Sequence, residues 1–71
     1  MSLRNHSYRE VLKALKHFGF YPESQSGSHI QLKHADGRRL TVPRHNVIKI
    51  GVMKSIISYT NIPVDEFLKY L

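Results

Sequence analysis

Between residues 8 and 18 the apolar side chains return every three or four positions, at Tyr8, Val11, Leu12, Leu15 and Phe18. That is the period of one helix face, and Arg9, Lys13 and Lys16 fall off it, toward water. Ser7-Tyr8-Arg9-Glu10 reads as an S-x-x-E capping box with Ser7 as the N-cap. Gly19 suits the left-handed position that ends a helix. The spacing therefore predicts a first helix over about 8–18. Phe20 and Tyr21 next favour a strand, but Pro22 has no amide to give a ladder, so a short edge strand is expected near 20–25. A turn follows around Ser26-Gly27.

The period then changes to two. Ile30 and Leu32 alternate with His29, Gln31 and Lys33, and Leu40 and Val42 alternate with Arg39 and Thr41. The Ala35-Asp36-Gly37 stretch between them is a hairpin signal. Parity selects the loop. A two-residue Asp36-Gly37 turn would set Lys33 against Leu40 and match every apolar residue with a polar one. A three-residue loop sets Leu32 against Leu40 and Ile30 against Val42, and it puts Gly37 where a left-handed bulge residue is wanted. A one-residue slip exchanges the faces, so the three-residue loop is the reading. One sheet face then carries Ile30, Leu32, Leu40 and Val42. The other carries His29, Gln31, Lys33, Arg39, Thr41 and the ring of Pro43, with His29 exposed beside a guanidinium and an ammonium.

Helical spacing returns at Val52, Met53, Ile56, Ile57 and Tyr59, which predicts a second helix over about 51–60 with Asn61 as its stop. "NIPVDEFLKYL" reads as a short terminal helix with Pro63 in its first turn, docked by Val64, Phe67, Leu68 and Leu71. The order is α-β-β-β-α plus a terminal helix. This is an α+β fold in which helices cover the apolar face of a three-stranded antiparallel sheet and leave the polar face open.

Size and composition narrow the function. At 71 residues the chain is expected to be one domain over 1–71, too small for a large cofactor cleft. It has no cysteine, which excludes disulfides and cysteine-based zinc sites. No apolar run has the length of a membrane span or resembles a signal peptide, so a cytoplasmic protein with no membrane partner is expected. Eleven Lys/Arg against five Asp/Glu give a formal charge of +6. Such a balance favours a polyanionic partner, with nucleic acid first among the candidates.

Three chemistries can be weighed on "GSHIQLKHADGRRLTVPRH". Metal binding is disfavoured. His29 and His34 are five apart on one strand and point to opposite faces, and His45 brings no third ligand with it. A hydrolytic Ser28-His29 dyad is disfavoured because adjacent strand residues diverge. RNA cleavage by the ribose 2′-OH needs no metal, only a base near neutrality and cations around the phosphate. His29 suits the first role, and Lys33, Arg38, Arg39 and Arg44 suit the second. From the residues alone three readings stay open: such a nuclease, an RNA-binding module without catalysis, and an interaction protein whose basic face meets an acidic partner. In the last two His29 is simply a surface histidine.

"GSH" at 27–29, "DGRRLTVPRH" at 36–45, "IKIGVMKSIISYTNIPVDEFL" at 48–68 and the opening "SYREVLKALKHFGF" together resemble the HicA family of toxin mRNA interferases. The resemblance spans nearly the whole chain in unbroken order. It implies a fold like that of double-stranded-RNA-binding domains. It also implies metal- and cofactor-independent cleavage of mRNA within a toxin–antitoxin system, with His29 as catalyst and a HicB-type antitoxin covering the site. On this reading Gly27 and Ser28 shape the turn that presents His29, and Lys33, Arg39 and Arg44 hold phosphates. His45 matches a recurrent family position whose role stays open. A monomer is expected when the toxin is free. Two positions depart from the family pattern. Gln25-Ser26 stand where a basic residue often precedes G-S-H, and Ile30 stands where a second histidine often follows. Phosphate grip then falls to Lys33 and Arg39.

Overall fold

The computed structural model describes residues 2–71. Its elements run α1 (Tyr8–His17), β1 (Phe20–Ser26), β2 (His29–His34), β3 (Arg39–Pro43), α2 (Ile50–Thr60) and α3 (Val64–Leu68). The strands form one antiparallel sheet in the order β1-β2-β3, so β2 is central.

α1 begins as its sequence dictates. Ser7 is extended, its Oγ accepts from the Glu10 amide at 3.3 Å, and the Glu10 carboxylate accepts from the Ser7 amide at 3.3 Å. The box satisfies two of the donors that a helix start leaves unpaired. The helix ends one residue earlier than its apolar spacing predicts. Phe18 is the C-cap, and Gly19 follows with φ +91°. Glycine is needed here twice over: besides the positive φ, a Cβ would lie 2.8 Å from Nε2 of His34.

The β2–β3 pairing has the predicted register, with Leu32 opposite Leu40 and Ile30 opposite Val42. Gly37 donates to the His34 carbonyl at 2.9 Å, and its φ of +96° completes a three-residue loop over 35–37. The β1–β2 turn sits one residue later than expected, on Gly27-Ser28, because Ser26 is still paired with His29. β1 accordingly runs to Ser26, and a bulge at Glu23 interrupts it between Pro22 and Ser24. The bulge accommodates Pro22 on an edge strand.

Val11, Ala14 and Leu15 of α1 close over Phe20, Ile30, Leu32, Leu40 and Val42, and Met53, Ile56 and Ile57 of α2 join the same core. α2 buries Met53, Ile56, Ile57 and Thr60, the i, i+3, i+4, i+7 set of one face. Val52 and Tyr59 flank that face and are exposed, contrary to the sequence reading. The buried places go instead to Thr60 and to Ile48, which lies before the helix. Thr60 meets its own polar need by donating to the Ile57 carbonyl at 2.6 Å. α2 starts at Ile50 and stops at Asn61, whose φ is +61°. In α3, Pro63 is the N-cap rather than a first-turn residue, and Val64 is exposed rather than docked. Phe67 does the docking, stacked on Phe18 with ring centres 5.8 Å apart. Just past α3, Tyr70 stacks on His17 at 3.6 Å.

Ser7→Ala is expected to destabilise the fold by about 1 kcal/mol, a melting shift of roughly 4–8 °C for a domain of this size, which thermal unfolding checks. A second prediction concerns pH. His6 directs Nδ1 at Glu10 (2.7 Å) and Nε2 at the Ser2 carbonyl (2.5 Å). The bond to Glu10 raises His6 above its ordinary 6.5, and the same bond holds Glu10 below 4.5. The stabilisation from His6 is complete below its unfolded value and is lost as pH rises through the raised folded value. That from Glu10 is present above its unfolded value and is lost as pH falls through the lowered one. The pair should therefore stabilise most between about pH 4.5 and 6.5. His6→Gln should remove the alkaline-side decline in melting temperature and leave the acid-side decline, which Glu23 and Asp36 share.

Candidate nucleic-acid interface

Strand alternation arranges the open sheet face in three rows across β1, β2 and β3: Tyr21–Lys33–Arg39, Ser24–Gln31–Thr41 and Ser26–His29–Pro43. All but Pro43, which is half-buried, are exposed. His29 is the first residue of the central strand and belongs to the last of these rows. Ile30 beside it is turned into the core, as the alternation requires.

The scaffold around His29 is built from backbone. Gly27, with φ +56°, and Ser28 make the two-residue turn that delivers His29 to the sheet. The Arg44 amide donates to the Ser28 carbonyl at 2.6 Å, extending the ladder past Pro43. The His45 carbonyl then accepts from the Tyr8 amide at 3.0 Å, and the Ile48 amide donates to the His6 carbonyl at 2.9 Å. These two bonds join the loop after β3 to the start of α1. They also satisfy the Tyr8 amide, a first-turn donor with no partner inside the helix. His45 orders the loop in this way through its main chain, and its exposed ring leaves a chemical role open.

The cations divide into engaged and unengaged. Arg38 is structural. Its Nε donates to Asp36 at 2.8 Å, its Nη1 donates to the Thr60 carbonyl at 2.8 Å, and its guanidinium carbon lies 5.1 Å from the Phe20 ring centre. Arg39 is paired with Glu23, Nε to Oε2 at 3.1 Å. The bulge in β1 turns Glu23 onto the open face, where Arg39 chiefly and Lys33 more weakly hold its carboxyl below the ordinary range. Lys33 lies four residues along β2 from His29, roughly 13 Å at strand rise. His29 is therefore not beside Lys33 and Arg39, as the alternation alone suggested. Sharing a face places residues on one side of the sheet but does not make them neighbours.

The residues gathered at the His29 end are Gly27, Ser28, Arg44 and His45. His34, by contrast, is on the helix side, half-buried against Phe20 at 4.9 Å between ring centres and 3.1 Å from Asp36. It has a packing role and faces away from His29. Glu23 is the site residue that sequence reasoning missed. Pro22 in a strand was the available signal, since a proline there often accompanies a bulge that re-aims its neighbour.

A family model described as the HicA toxin of bacterial toxin–antitoxin systems matches residues 8–62, from the first residue of α1 to just past α2. No curated protein matches the chain.

Proposed function

The chain belongs to the HicA toxin family of bacterial toxin–antitoxin systems, and from that premise we propose that it is an endoribonuclease acting on mRNA through His29. An antitoxin partner comes with the family, and a HicB-type protein covering the His29 end of the sheet is the form proposed. The observation that carries the reading is the setting of His29. It is an exposed imidazole on the open face, presented by the Gly27–Ser28 turn, with the Arg44 main chain bonded alongside.

The chemistry follows from those groups. Neutral imidazole accepts the proton of a ribose 2′-OH. The oxygen attacks the adjacent phosphorus, the bond to the 5′ oxygen breaks, and the products are a 2′,3′-cyclic phosphate and a 5′-hydroxyl. The departing oxygen takes up a proton, from the imidazolium or from water. Cations beside the phosphate stabilise the charge that develops on its oxygens. Arg44 is the one tied to the His29 turn through the scaffold, its main chain bonded to Ser28. Lys33 and Arg39 lie farther along the strand path of the RNA, and Arg39 must exchange Glu23 for phosphate. The alternative reading is RNA binding without cleavage. It draws on the row around His29, where Ser26 and Pro43 offer no second acid or base.

His29→Ala should lower cleavage of mRNA, assayed in EDTA, by roughly 10²–10⁴-fold. It removes no core contact, so stability should stay within about 0.5 kcal/mol of wild type. A variant that melts normally and still cuts at the wild-type rate would sink the assignment. The sheet face has its own test. RNA affinity should fall with salt, and Lys33→Ala combined with Arg39→Ala should flatten that dependence, by less than two full phosphate contacts because Glu23 already occupies Arg39. An unchanged slope in filter-binding titrations would place the RNA elsewhere.

A further inference from the structure

We propose that Arg9, Tyr8 and Arg44 form a phosphodiester-binding site at the start of α1, which receives the RNA strand where it passes from His29 over the rim of the sheet. The inference rests on the RNA-cleaving reading above and adds to it the path of the substrate and two residues, Tyr8 and Arg9, outside the sheet altogether.

Two guanidiniums converge here on a single phenol oxygen. Arg9 Nε is 3.2 Å from the Tyr8 hydroxyl and Arg44 Nε is 3.4 Å from it. The guanidinium carbons stand 5.7 and 5.8 Å from the ring centre. Among the described residues no carboxylate joins them. Glu10 is engaged by His6, Glu23 by Arg39, Asp36 by Arg38 and Glu66 by Lys69, and Asp65 forms no ion pair with either arginine. Like charges brought together without a counter-ion repel, and an anion between them relieves the repulsion. Each arginine uses one donor on the phenol and keeps the rest of its fork for phosphate oxygens. The phenol also registers the two bonds: that from Arg44 first, and that from Arg9 second, draw its pKa below the ordinary phenol value.

The cluster is joined to His29 by two main-chain bonds. Tyr8 is bonded to His45, and Arg44, the residue before it, is bonded to Ser28, the residue before His29. By strand alternation Arg44 continues the series Leu40, Val42 on the helix side, whereas His29 is on the open side. A strand lying over His29 and bending round this rim meets Arg44, then the Tyr8 ring, then Arg9. An aromatic ring beside paired guanidiniums suits a nucleotide, with a base to stack and a phosphate to grip.

The test is titration of a 2′-O-methyl oligoribonucleotide, which binds but has no 2′-OH to attack, against wild type and single variants at about 0.05 M salt. Each phosphate contact adds about 0.7 to the salt slope of a single strand, so Arg9→Gln and Arg44→Gln should each weaken binding by roughly 5–10-fold and reduce that slope. Lys13→Gln and Lys16→Gln, which remove the same charge elsewhere on α1, should have clearly smaller effects, and Arg9→Lys should restore part of the loss. Melting curves establish that each variant is folded. If Arg9→Gln and Arg44→Gln behave like the lysine controls, the site is refuted while the RNA reading stands. If wild type binds no oligonucleotide at low salt, both fail. If a glutamate-rich peptide of equal charge binds the cluster as tightly, it is a docking point for an acidic protein segment and the RNA assignment is wrong.

Discussion

A slip of one residue between β2 and β3 would put His29, Gln31 and Lys33 into the core and Ile30 and Leu32 into water. Burying a large aliphatic side chain contributes about 1.5–3 kcal/mol, so the slipped sheet loses several such terms and gains unpaired buried polar groups. The three-residue loop closed by Gly37 holds the register that avoids this. Every other placement follows from it. The helices must lie on the Ile30 and Leu32 side, and the imidazole of His29 must lie on the other.

The second constraint is the joining of the 44–48 loop to residues 6–8. Few hydrogen bonds are involved, yet they bring the start of α1, the end of β3 and the β1–β2 turn to one corner of the molecule. The capping box at Ser7 and Glu10 holds α1 at that corner, and His6 clamps Glu10 from outside. A stabilising device and the candidate site thus share the same stretch of chain, Ser7 being the cap and Tyr8 the first helical residue.

Net charge describes this surface poorly. Arg38 is bound into the loop and the end of α2, and Arg39 is neutralised across the sheet by Glu23. Arg9 and Arg44 have only a phenol between them. Counting basic residues near His29 in sequence gives the wrong weighting, because engagement with a carboxylate decides how freely a guanidinium can meet a phosphate.

The sequence by itself determined what depends on local periodicity and local chemistry. The helix at Ser7, its stop at Gly19, the parity of the β2–β3 hairpin and the exposure of His29 all come from neighbours within a few residues. The family was legible for the same reason, in unbroken motifs from "SYREVLKALKHFGF" to "VPRH". Errors fell where two distant segments meet. Val52, Tyr59 and Val64 are apolar at plausible helical positions, but the angle at which a helix lands on the sheet decides which edge of its apolar stripe is covered. Ile48 and Ala14 became core because of what packs on them. The bulge that turns Glu23 toward Arg39, and the bonds that carry Tyr8 and Arg9 to Arg44, join residues 16 or more apart in sequence. Periodicity fixes the face on which a side chain lies, but distance along and between elements is set by packing. Only the tertiary structure could therefore decide which charges surround His29.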